Sequence, residues 1–126
     1  MSIMNSYQAL HNFWSSFGWT AYDEMTVPSE EDNPAMPRIT YSVSTASFDE
    51  TVSLTASLWD RSMSWREISL KTDEIYRAIG AGGMMIHCDE GAIWLKRGTP
   101  FSQRMSDEDS TIRRVYINLE AEFLFE

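Results

Sequence analysis

The sequence predicts an α+β domain, a mostly antiparallel sheet of about five to six strands with two helices packed on one face. Three observations predict it. Apolar residues alternate with period two after Pro37 and again over the last dozen residues. Two other windows carry apolar residues at three-and-four spacing, as amphipathic helices do. Most links between these segments are short, which favours antiparallel neighbours.

The first helix is predicted from Ser6 to Phe17, where Tyr7, Leu10, Phe13, Trp14 and Phe17 share one face. Asn5 with Gln8 forms a capping pair at its start, and Gly18 supplies a stop. A short, loosely alternating strand is expected from Trp19 to Val27. Residues 28–37 crowd Pro28, Pro34 and Pro37 with Glu30, Glu31 and Asp32, and read as a mobile loop.

Beyond Pro37, Ile39, Tyr41 and Val43 alternate with Thr40, Ser42 and Ser44. A turn at Phe48-Asp49-Glu50 then leads to Val52, Leu54, Ala56 and Leu58, alternating with Thr51, Ser53, Thr55 and Ser57. This is a hairpin whose hydroxyl-bearing face suits solvent or a polar protein partner. Ser64-Trp65-Arg66-Glu67 reads as a capping box that opens the second helix. Its stripe of Trp65, Ile68, Thr72, Ile75 and Ile79 should end at Gly80.

Gly82-Gly83 leads into Met84, Met85 and Ile86, and Asp89-Glu90-Gly91 turns the chain into Ala92 to Leu95, a second hairpin with its tip near Glu90. Residues 100–110 are polar and acid-rich, predicting a loop or extended arm. The final segment, with Val115, Ile117, Leu119, Ala121, Phe123 and Phe125 on one face, reads as a long strand that is central or pairs with a neighbour. The 126 residues fit one domain with one core, in which Trp14, Trp59, Trp65 and Trp94 are the expected core indoles. Trp19 is the indole least expected to be core, with anchoring a partner as its alternative role.

Hydrophobic residues at 43% place the chain among globular proteins, and a net charge of −9 argues against a nucleic-acid clamp, which needs clustered Lys and Arg. A single cysteine, Cys88, leaves no intrachain disulfide and fits a reducing cytoplasm. The first residues lack the basic and apolar regions of a signal peptide, and no segment approaches the roughly 18 consecutive apolar residues of a membrane span, so a soluble protein made in the cytoplasm is expected.

The residues that carry chemistry elsewhere are poorly arranged here. His87 and Cys88 are strand neighbours that point to opposite faces, which prevents a base–nucleophile pair. His11 is isolated on the first helix, and neither CxxC nor HExxH occurs. Gly80-Ala81-Gly82-Gly83 follows a helix instead of preceding one, so it is a cap and turn, not a phosphate cradle. The carboxylates at Asp89-Glu90 and Asp107-Glu108-Asp109 sit in predicted turns and are explained by solvation. No catalytic residue, metal site or cofactor is expected.

The segments PRITYSVSTASF, TVSLTASLWDRSMSWREI and WLKRGTPFSQRMSDEDSTIRRVYINLEAEF, in that order, cover most of the chain beyond Pro37. In this pattern the chain resembles the tail-terminator (tail-completion) proteins of long-tailed bacteriophages and prophages. The resemblance implies a non-enzymatic virion protein, made in the bacterial host cytoplasm and built into the virion tail. It would form a ring, usually hexameric, that caps the tail tube and joins it to the head connector. Its partners would be further copies of itself, the tail tube protein and the head–tail connector proteins; DNA would pass through without being specifically bound.

Acids facing such a lumen would let DNA slide, and Glu30, Glu31 and Asp32 are the candidates. A ring also needs a contact between two different patches. Candidates are the hairpin face of Thr51, Ser53, Thr55 and Ser57 and the arm from Gln103 to Ser110 with Asp107, Glu108 and Asp109. The basic residues Arg97, Arg104, Arg113 and Arg114 complete the set, with Arg113 and Arg114 positioned to pair with the arm of a neighbour. The alternative from a different class is an acidic inhibitor or immunity-type module that masks a basic protein surface.

Overall fold

The computed structural model describes residues 4–27, 36–44 and 50–125. The elements run α1 (Ser6–Ser15), β1 (Thr20–Asp23), β2 (Arg38–Tyr41), β3 (Thr51–Arg61), α2 (Arg66–Ile79), β4 (Met84–Cys88), β5 (Gly91–Met105) and β6 (Ile112–Phe125). The strands form one sheet in the order β1-β2-β3-β6-β5-β4. β1 and β2 are parallel and every other neighbouring pair is antiparallel, so the expected α+β class is the observed one.

Alternation on β6 decides which face is covered. Val115, Ile117, Leu119, Ala121 and Phe123 are buried, and register aligns them with Leu58, Ala56 and Leu54 on β3 and with Leu95 and Ile93 on β5. Both helices pack on this face. α2 contributes Ile68, Ile75 and Ile79, and α1 contributes Leu10, Phe13 and Trp14 to the same continuous core. The sheet curls enough for α1 to touch both edge strands, β1 and β4. Lys71 of α2 donates to the Phe17 carbonyl at 2.6 Å, tying the two helices together.

Local signals account for the helix ends. Asn5 caps α1 by accepting from the Gln8 amide at 2.9 Å, and the Glu90 carboxylate accepts from the Ser6 amide at 3.0 and 3.3 Å. The carboxylate therefore meets one of the first free amides of α1, where the positive end of the helix dipole favours it. α2 ends at Gly80 as expected, with φ at 76°, a left-handed conformation that glycine adopts without a side-chain penalty. The capping box at its start does not form. Ser64 accepts from the Arg66 amide at 3.0 Å, and Trp65, which has no side-chain cap, precedes the first helical residue.

Several other expectations are corrected. Tyr7 is 56% exposed, because the buried stripe of α1 runs through Ser6, Ala9, Leu10, Phe13 and Trp14 instead. Residues 100–105 are not a loop: β5 continues to Met105, where Ser102 to Met105 pair with Ile117 to Arg114. The strand survives its polar composition because β6 supplies the backbone partners. Between Arg97 and Ser102 the ladder is interrupted, with the step from 97 to 102 on β5 matched by that from 119 to 117 on β6. The parity of β5 changes there, so Leu95 and Arg97 share the helix-covered face with Ser102 and Arg104.

Among the four expected core indoles only Trp14 is fully buried, at 1% exposure. Trp59 pairs with Arg114 and Trp94 with Glu122, register positions on the face away from the helices. Trp65 and Trp19 are partly buried and pack against the core rim.

Candidate interaction surfaces

Two aromatic–cation clusters lie on opposite faces of the sheet and share β6. On the helix side, Trp65 at the start of α2 is met by Arg104 of β5, with its guanidinium carbon 4.6 Å from the ring centroid, and by Arg113 of β6 at 5.2 Å. Arg113 also donates to the Met63 carbonyl at 2.9 Å. Arg97 stacks on Tyr76 at 3.4 Å and donates to the Tyr76 carbonyl at 3.0 Å, bracing α2 against β5.

On the opposite face, Trp59 stands between Arg114 at 4.6 Å and Arg38 at 5.6 Å from its centroid. The arrangement is fixed by hydroxyls. Trp59 Nε1–H donates to Thr40 Oγ1 at 3.0 Å, and Arg114 Nε and Nη2 donate to Ser57 Oγ at 3.1 and 3.0 Å. Thr40 and Ser57 are both buried, so Ser57, on the hydroxyl-bearing hairpin face expected to suit solvent or a polar partner, is occupied within its own chain by Arg114. A shallow groove of about 410 Å³ opens over these residues, with Glu24 and Tyr116 also in its lining.

The candidate interface residues therefore separate. Arg97, Arg104 and Arg113 face the helix layer, and Arg114 alone of the four faces the open side of the sheet. In the β5–β6 turn, Asp107 accepts from the Asp109 amide at 2.9 Å. Asp109 accepts from the Thr111 amide at 2.8 Å and hydroxyl at 2.6 Å, and pairs with Arg61 at 3.2 Å. Those bonds from Thr111, followed by Arg61, hold the Asp109 carboxyl below the usual carboxylate range. Asp109 is thus engaged inside its own chain with Arg61 instead of Arg113 or Arg114. Glu108 is exposed, and among the described residues no ion pair involves it. Thr51 and Ser53 are exposed as expected, while Glu30, Glu31 and Asp32 lie outside the described residues, as do Phe48 and Asp49.

The residues with reactive side chains are dispersed. His11 Nδ1 shares a hydrogen bond of 2.8 Å with the Tyr41 hydroxyl and Nε2 one of 3.3 Å with Ser15, so both ring nitrogens are engaged between α1 and β2. His87 is exposed and Cys88 half-buried on the edge strand β4. Burial pushes the Cys88 thiol above its ordinary value, partly opposed by a backbone hydrogen bond at Glu90. Among the described residues no group of three His, Cys, Asp or Glu side chains can hold a metal ion, and no helix is long and apolar enough to cross a membrane.

The outward Trp59 was available to sequence reasoning. Once Leu54, Ala56 and Leu58 are read as inward, period two forces Trp59 outward, and its size alone suggested otherwise. Its clasp by Arg38 and Arg114 had no local signal, because it depends on pairing among three strands. What the described residues define is an α+β protein with one helix-covered face and a charged, aromatic groove on the other. No family model, curated protein or solved structure matches the chain.

Proposed function

We propose that this chain is a non-enzymatic virion structural protein of the tail-terminator kind, assembling into an oligomeric ring that caps a phage tail tube and joins it to the head connector. The reading rests on the resemblance of the segments beyond Pro37, which the fold accommodates as β2, β3 and the β5–β6 ladder. The observation that carries it is the two-sidedness of the sheet: helices cover one face, and the other presents Trp59 and Arg114 to a neighbour. A ring of identical subunits needs unlike surfaces of this kind on one chain.

The dispersal of His11, His87 and Cys88 supports a mechanical role over a catalytic one. The net charge of −9 suits a passage for DNA that must not bind it, with Glu30, Glu31 and Asp32 as the proposed lumen acids. The protein would be made in the host cytoplasm and end in the virion tail. Native mass spectrometry over a concentration series tests the reading. A closed multimer that grows in with concentration supports it; a chain that stays monomeric at every concentration, including in the presence of tail tubes, overturns it in favour of an acidic masking module.

A further inference from the structure

We infer that the groove around Trp59 is a receptor for a short acidic segment, and that its occupant is the Asp107–Asp109 turn of a second copy of this chain. The inference rests on the ring reading for the identity of the occupant, and on the groove's own chemistry for the class of ligand.

The groove is organised before anything enters it. Ser57 Oγ holds two nitrogens of the Arg114 guanidinium at 3.1 and 3.0 Å, and the Trp59 ring lies beneath that guanidinium, with Arg38 over the same indole. Both polar anchors, Ser57 and Thr40, are buried, so the donors are fixed in direction. A planar guanidinium held in this way favours carboxylates, and its ordering cost has been met within the fold. Nη1 of Arg114 has no hydrogen bond among the described residues, so its two N–H groups, with the second of Nη2, are the donors left for a ligand.

Charge selects the occupant. The chain carries 19 acidic against 10 basic residues, so the common ligand that one copy offers another is a carboxylate. The Asp107–Asp109 turn has three consecutive acids, of which Asp109 is engaged by Arg61 and Glu108 is exposed. It closes the β5–β6 hairpin and runs off the end of the sheet, whereas Arg114 projects from the sheet's open face. End of one copy against face of the next is a contact between unlike patches, the kind that propagates around a ring. A long polyanion meets a different balance, because the whole acidic surface repels it beyond the groove.

The test uses the full chain, labelled with ¹⁵N, and a synthetic peptide with the sequence of residues 105–112. The reporter is the Trp59 indole N–H, which donates to Thr40 and is assigned with Trp59→Phe. The acidic peptide should shift that resonance saturably, and the same peptide with Gln and Asn replacing its acids should not. Arg114→Gln should weaken binding by about tenfold or more, and Arg114→Lys by less, since it keeps the charge but loses the planar fork. Equal shifts with both peptides, no shift at all, or a shift produced only by a single-stranded oligodeoxynucleotide would overturn the inference. The two proposals fail separately. If wild-type chains form a ring and Arg114→Gln leaves its mass unchanged, the groove assignment fails and the ring stands; if no ring forms but the acidic peptide binds, the ring fails and the groove stands.

Discussion

Arg113 and Arg114 are consecutive on β6, yet their guanidiniums lie on opposite faces of the sheet, Arg113 at 5.2 Å from the Trp65 ring and Arg114 at 4.6 Å from that of Trp59. One basic dipeptide thus serves two surfaces. Substituting both residues together perturbs two unrelated environments, so each must be changed alone.

Arg113→Ala should act on the fold. It removes the hydrogen bond to the Met63 carbonyl and the cation above Trp65, at a cost of about 1–3 kcal/mol. Urea unfolding should show a lower midpoint with little change in slope. Arg114→Ala should instead leave concentration-dependent mass as the more sensitive readout; equal losses of stability for the two variants would contradict the division of labour.

Glu90 and Asp60 should respond to acid in opposite directions. Hydrogen bonding from Ser6 outweighs desolvation and holds the Glu90 carboxyl below its ordinary value, so its stabilising contribution is present above about pH 4.5 and is lost as pH falls through the lowered value. Asp60 is raised, by burial first and then by repulsion from Glu67. Its ionised form opposes folding at neutral pH, and that opposition fades as pH falls through the raised value toward the ordinary 3.8. Glu90→Gln should therefore lower the thermal midpoint at pH 7 and converge with wild type in acid. Asp60→Asn should raise it at pH 7 and lose the advantage in acid, as differential scanning calorimetry from pH 7 to pH 3 would reveal.

Phe123→Ala should cost about 3–5 kcal/mol and Ile117→Ala about 2–5 kcal/mol, because both side chains are fully buried at the centre of the sheet. Chemical denaturation measures this directly. A loss below about 1 kcal/mol at either position would mean that the covered face of β6 is not the packed centre described above.

Much of the architecture was legible because period and punctuation coincided. Val115 to Phe123 alternate without interruption, and their strand lies in the middle of the sheet; Ile68, Ile75 and Ile79 mark the buried stripe of α2, and Gly80 ends it. Tyr7 and Trp94 misled for a common reason: large apolar side chains suggest burial, while helix phase and strand parity placed these two outward. The second half of β5 was missed because Ser102, Gln103 and Arg104 carry no apolar alternation, and their extended conformation comes from β6. The candidate surfaces were less legible still. The four arginines were visible as charges, but which side each occupies depended on register, and the partnership of Asp109 with Arg61 joins residues 48 apart.

The offset between Arg97 and Ser102 makes chain length in that stretch decide which side every later residue of the strand faces. Adding or deleting one residue there would transpose everything from Ser102 to Met105 onto the reverse side, exchanging Gln103 for Arg104 above the Trp65 indole. Side-chain identity is constrained at Gly98, where a Cβ would collide with the Asn118 carbonyl oxygen, but a single-codon indel would rewrite the chemistry of both sides at once.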